Sequence, residues 1–239
     1  MLLRVALPFA SLLALAVGYG TLSNNTLRNL PGTSKEDFDI KNGKILAPIL
    51  VPRVSGTPGN AAVLQHLIDF FKTSLPEWKI ELHNSTSTTP TSGGKEIPFR
   101  NLIATRDPPG TGVGEVGRLA LVAHYDSKLT PTGFIGATDS AAPCAMLLHA
   151  ARSIDAALTK KWKAGVDELE EQKGVQILLL DGEEAFQTWT HTDSIYGARY
   201  ATVISRPRYT TDSLLEHWQP SGKTRTILPC PHTAPRSTR

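Results

Sequence analysis

Two apolar runs in this chain break off abruptly at polar chemistry. Val175–Leu180 ends at Asp181-Gly182-Glu183-Glu184, and Arg118–Ala123 ends at His124-Tyr125-Asp126-Ser127-Lys128. Runs of this length bounded by Gly and charged residues predict strands buried on both faces of a sheet. The remaining pattern predicts helices and lesser strands between them. Asn60 reads as the cap of a helix ending near Leu75-Pro76, with Val63, Leu67, Phe70 and Phe71 on its apolar side. Trp78–His83 alternates as a strand, Ser85–Gly94 reads as a Ser/Thr/Gly loop, and Phe99–Thr105 as a further strand. A second helix is predicted over Ala141–Ala157, with Met146, Leu147, Ala150 and Ile154 facing inward and His149 an ordinary helical side chain. Ile45–Asn60 is extended and Pro-punctuated, Pro108–Gly117 is turn-rich, and Lys160–Lys173 is a charged connector.

Strands joined by helix-length connections give an α/β sheet, and ligands bind such sheets beyond the carboxyl ends of the strands. The two runs deliver His124 and Asp126, then Glu183 and Glu184, to that edge. A third acid, Asp139, sits in the Gly-containing loop Phe134–Ser140. Singly, each has an ordinary explanation: DGEE is also a solvated turn, HxD a surface loop, and Asp139 a helix cap. Together they are the oxygen and nitrogen donors of catalytic zinc, which takes three protein ligands and keeps one position open. Asp126 accepting from the His124 ring is a familiar way of orienting a metal-binding imidazole.

Composition alters this picture little. At 239 residues, 40% hydrophobic and 20% charged, the chain suits one domain with a substantial core. The net charge of +3 is concentrated in Ser205–Arg239, where six Lys/Arg face Asp212 and Glu216, so the rest carries a slight negative excess. An irregular basic tail lacks the clustered footprint of nucleic-acid binding. Residues 1–20, with Arg4, apolar Val5–Val17 and small residues at Ala16–Gly20, predict a secretory signal peptide, or alternatively an uncleaved anchor. After cleavage no stable membrane association is expected. Sequons at Asn24-Asn25-Thr26 and Asn84-Ser85-Thr86 agree with export. Cys144 and Cys230 are too few for a disulfide framework.

Four segments in order, HYDSK at 124–128, GFIGATDSAAPCAM at 133–146, DGEEAF at 181–186 and DSIYGAR at 193–199, resemble the secretory glutaminyl-peptide cyclotransferases. The resemblance extends over residues 40–204. It implies a single-domain three-layer α/β sandwich of the zinc-aminopeptidase type, with a mixed, mostly parallel central sheet. It also implies one zinc ion, with Asp139 and Glu184 as ligands and Glu183 as general acid/base. Trp189 matches an aromatic residue of the substrate pocket. His124 matches a position that ligates zinc in the related two-metal aminopeptidases and stays beside the site in cyclases. Those enzymes often carry Cys where Ala123 stands, bridged to the position of Cys144; that bridge is unavailable here.

The implied reaction converts N-terminal glutamine of peptides or proteins to pyroglutamate with release of ammonia. A zinc exopeptidase or a truncated inactive relative are the alternatives. The resemblance stops near Ile204; residues 205–239 form an irregular tail with five of the 17 prolines. The C-terminal part of the domain is therefore expected to be missing. The family's third zinc ligand, a His, lies in that part, and His217 and His232 stand outside any family-like motif. On Asp139 and Glu184 alone, weak zinc binding and little turnover are expected.

Overall fold

The computed structural model describes residues 23–29, 32, 34–112, 115–164 and 173–204. The chain divides into a unit of residues 1–201 and a second of 202–239. Apart from the end of the last helix, the second unit lies outside the described residues, as do the expected signal segment, Cys230, His217 and His232.

Helices α1 (Asn24–Arg28) and α2 (Lys35–Phe38) precede a single 3₁₀ turn, Ala47–Ile49, and the long helix α3 (Pro58–Ser74). α3 starts earlier than expected. Thr57 is its cap, accepting from the Asn60 amide, and Pro58 occupies the first turn, where its missing N–H costs nothing. Strand β1 (Lys79–Thr88) likewise runs past His83 through residues read as loop, because an edge strand open to solvent tolerates Ser and Thr. β2 (Glu96–Arg106), β3 (Arg118–His124), helix α4 (Ala142–Lys163), β4 (Gly174–Leu180) and helix α5 (Tyr196–Ile204) complete the described elements.

The four strands form one sheet in the order β1-β2-β4-β3. It is mixed, as expected, but the antiparallel share among the described strands is the larger. β1 with β2 and β2 with β4 are antiparallel; only β3 with β4 is parallel. Connection length explains the difference. Seven residues join β1 to β2 and permit a hairpin, whereas α4 supplies the long crossover that a parallel neighbour requires.

One sheet face carries Leu102, Ala104, Ala123, Val175, Ile177 and Leu179 into the main core, with Val63, Leu67 and Phe71 of α3 and Cys144, Ala145 and Leu148 of α4. On the opposite face Phe99 stacks on Tyr196, rings 4.7 Å apart and nearly parallel, and Phe186 meets both edge-on. This smaller cluster roofs the carboxyl end of β4. Cys144 is buried and free, and its thiol donates to the His124 carbonyl at 3.0 Å.

Candidate metal centre

β3 and β4 run parallel, so His124 and Leu180 stand in register and both strands release their polar tails at one edge. The β4 tail turns at once. Gly182 takes φ +70°, and a Cβ there would strike the Phe99 ring, so only glycine suits the turn. Glu183 and Glu184 then diverge. Glu184 goes inward and is 5% exposed; Glu183 remains half-buried.

Asp126, itself buried, holds both glutamates in place. Its carboxylate accepts the Glu183 amide on one oxygen and the Glu184 amide on the other, each at 3.0 Å. The Oδ1 atom also lies 3.3 Å from His124 Nδ1. That contact leaves Nε2 of the ring to face the acids, as the spacing of His124 and Asp126 predicts. Nε2 sits 2.9 Å from Asp139 Oδ1 and 3.7 Å from Glu183 Oε2. Asp139 reaches this point from a kinked turn, Ala137–Ala141, in which Asp139 and Ser140 leave helical geometry. α4 has no side-chain cap, so capping is not the role of Asp139.

Ligand atoms of His124, Asp139 and Glu184 all lie within 4.8 Å of one another. Zinc at about 2.0–2.2 Å from each would draw them somewhat closer. The test of fit is Glu184: its Oε1 is buried with no hydrogen-bond partner. Leaving a buried carboxylate oxygen unpaired is costly, and a cation shared with His124 and Asp139 would remove that cost. The donor set, one imidazole and two carboxylates, suits zinc. His124 stands beside the two acids, where a third donor would be needed.

Burial alone would lower the His124 pKa, but the hydrogen bonds to Asp126 and Asp139 and the charges of Asp126 and Glu183 outweigh it and push the pKa up to about 9. Burial raises the pKa of Glu183, with the charges of Asp126 and Asp139 adding to it against the opposing effect of His124. Burial likewise raises Glu184, opposed by Lys128, whose ammonium is 3.8 Å from Oε2. A carboxylate with a raised pKa is a better proton acceptor, which suits Glu183.

Trp189 is 55% exposed on the loop after Glu184. That loop hangs on Asp193, whose carboxylate accepts from the amides of Phe186, Gln187 and Thr188 and from the Tyr196 hydroxyl at 2.8–3.0 Å. Below it, buried Asp181 accepts from Ser55, Asn60 and the Arg100 amide. Sequence reasoning missed these two acids and Arg53. Their partners are distant in sequence or are backbone amides and carbonyls, which leave no residue pattern. Arg53 alone leaves a trace, as a lone charge within apolar ILAPILVPRVSG.

The mixed sheet with its helices has the fold of the zinc-aminopeptidase-like class, and residues 101–216 match Peptidase family M28. Within that class the chain is a homologue of the glutaminyl-peptide cyclotransferases. It is 40% identical over 162 residues to the glutaminyl-peptide cyclotransferase-like protein of Bos taurus, covering 66% of this chain and 39% of the relative. The Bos taurus glutaminyl-peptide cyclotransferase is 36% identical over 159 residues, covering 65% and 41%. The crystal structure of Macrostomum lignano glutaminyl cyclase superposes with a TM-score of 0.58 at 33% identity, covering 75% of this chain and 47% of that one. The chain thus spans about two fifths of the length of the curated relatives it matches.

Proposed function

We propose that this protein is a zinc-dependent glutaminyl-peptide cyclotransferase acting on peptides or proteins that begin with glutamine. The observation that carries the reading is the unpartnered, buried Glu184 Oε1 beside His124 and Asp139, with Glu183 alongside and outside that donor group. His124, Asp139 and Glu184 would hold one zinc ion, which when bound polarises the side-chain amide of the substrate. The α-amine of the substrate forms a bond to its own side-chain amide carbon, and the bond from that carbon to the amide nitrogen breaks. Glu183 accepts the proton lost by the amine and returns it to the departing nitrogen, which leaves as ammonia. Trp189, on the loop tied down by Asp193, would pack against the glutamine side chain. Curling that chain onto its own amine supplies the proximity the closure needs.

The signal at 1–20 and the exposed sequon residues Asn24 and Asn84 support a secreted glycoprotein. Among the described residues no helix is long and apolar enough to cross a membrane.

A zinc exopeptidase is the second reading, favoured by the approach of His124 Nε2 to Asp139, since Glu183 could equally take a proton from water. Incubation of the zinc-loaded protein with a peptide beginning in Gln separates the two. Cyclisation releases ammonia and leaves the peptide full length with a blocked amine; hydrolysis releases a free amino acid. Release of the amino acid without ammonia would overturn the cyclase reading.

A further inference from the structure

Arg53 is wholly buried, and no carboxylate pairs with it among the described residues. Its guanidinium donates instead to four backbone carbonyls. Nε reaches Tyr125 O at 2.5 Å, Nη2 reaches Gly136 O at 3.0 Å, and Nη1 bonds Ile135 O and, at 3.3 Å, Val51 O. Tyr125 directly follows His124, and Gly136 opens the kinked turn that carries Asp139. One planar group therefore joins the two backbone segments that present these donors.

The main chain of Arg53 reaches the third segment. Its carbonyl accepts from Asn60 Nδ2 at 3.3 Å, and the same nitrogen donates to Asp181 Oδ1 at 2.9 Å, three residues before Glu184. Its amide donates to Ser127 Oγ at 2.9 Å. Burial holds the guanidinium pKa below the ordinary arginine value, and the charges of Asp126, Asp139 and Glu184 work in the opposite direction. The cation thus lies within electrostatic reach of the acids although it bonds none of them.

We propose that Arg53 is the positioning residue of the metal centre: its fork fixes the separation of His124 from Asp139. The inference rests on the reading that His124, Asp139 and Glu184 bind zinc. Lysine cannot replace the fork, because a single nitrogen cannot span carbonyls that Nε, Nη1 and Nη2 now reach separately.

The test is zinc affinity by chelator competition on the full chain, without any activity assay. Arg53→Met and Arg53→Lys are compared with wild type and with Leu67→Ala, a core variant on α3 that lowers stability elsewhere. Arg53→Met is expected to bind zinc about 10–100-fold more weakly, the usual cost of removing a group that orients ligands. Arg53→Lys should fall between it and wild type, and Leu67→Ala should keep wild-type affinity despite a lower Tm. The visible spectrum of the cobalt(II)-substituted Lys variant should also differ from that of wild type. Unchanged affinity and spectrum in the Arg53 variants would overturn the proposal, as would an equal affinity loss in Leu67→Ala. Should Arg53→Met fail to fold, the Lys variant decides by the same comparison. A wild type that takes up no zinc overturns the metal reading itself, and the clamp with it.

Discussion

At the scale of single residues, the site works by giving neighbouring acids different surroundings. Glu183 and Glu184 are adjacent in sequence, yet one stays half-buried beside His124 and the other buries an unpaired oxygen. Glu183→Gln should lower kcat about 10²–10⁴-fold, the usual contribution of a positioned acid/base, with KM for a Gln-peptide changed far less. Steady-state kinetics on that peptide check it. Asp193 acts at one remove, holding three amides of the loop that carries Trp189. Asp193→Asn should cost about 1.5–3 kcal/mol, as expected for hydrogen bonds to a charged acceptor. Although burial alone would raise the Asp193 pKa, the amides of Thr188 and Phe186 and the Tyr196 hydroxyl lower it from the ordinary 3.8. A lowered folded-state pKa stabilises at pH above 3.8, and that stabilisation is lost as pH falls through the folded value. Urea unfolding of wild type and variant should therefore differ most at neutral pH and converge in acid.

At the scale of elements, the strands and helices that face the core were legible because burial imposes a period. β4 was placed by its apolar run, and the four inward residues of α3 by helical spacing. β3 was found by its run too, but among the described strands it is an edge strand with Leu119 and Val122 more than half exposed, not buried on both faces. On α4 the expected face was misplaced: Met146 is 59% exposed, and Cys144, Ala145, Leu148 and Ala151 face the core instead. Where burial stops, the pattern stops. β1 runs on through Asn84–Thr88 along an exposed edge with no apolar alternation to mark it. Asn60 resembles a helix cap by residue type, yet it lies one turn inside α3 and serves Asp181. The turn after β4 was visible as Asp-Gly, but its demand for glycine comes from a ring far away in sequence. Gly182→Ala forces an L residue to φ +70° and drives a methyl group into Phe99. It should destabilise by more than about 1 kcal/mol and weaken zinc binding together, since the turn launches both glutamates. Thermal melts with and without zinc would show a reduced ligand-induced shift.

At the scale of the whole molecule, the candidate ligands could be proposed from sequence because His124 and Glu184 sit at or just beyond strand ends and Asp139 lies in a Gly-containing turn before a helix. What arranges them could not. Asp181 and Arg53 act across separations of 72 to 126 residues through carbonyls, amides and buried polar side chains. The amino-terminal segment, residues 1–20, lies outside the described residues. If export occurs as residues 1–20 imply, sequencing of secreted material should give a mature terminus between residues 18 and 24. An intact Met1 on membrane-bound protein would mean an anchor instead.

On the proposed reading, His124, Asp139 and Glu184 form one zinc site with Glu183 as the acid/base beside it. Zinc content after dialysis, measured in parallel on wild type, Glu183→Gln, Glu184→Gln and His124→Ala, tests it most directly. Wild type and Glu183→Gln should retain one equivalent of zinc per chain, and Glu184→Gln and His124→Ala should lose most of it. Equal zinc loss from Glu183→Gln and Glu184→Gln, or full retention in His124→Ala, would contradict the account.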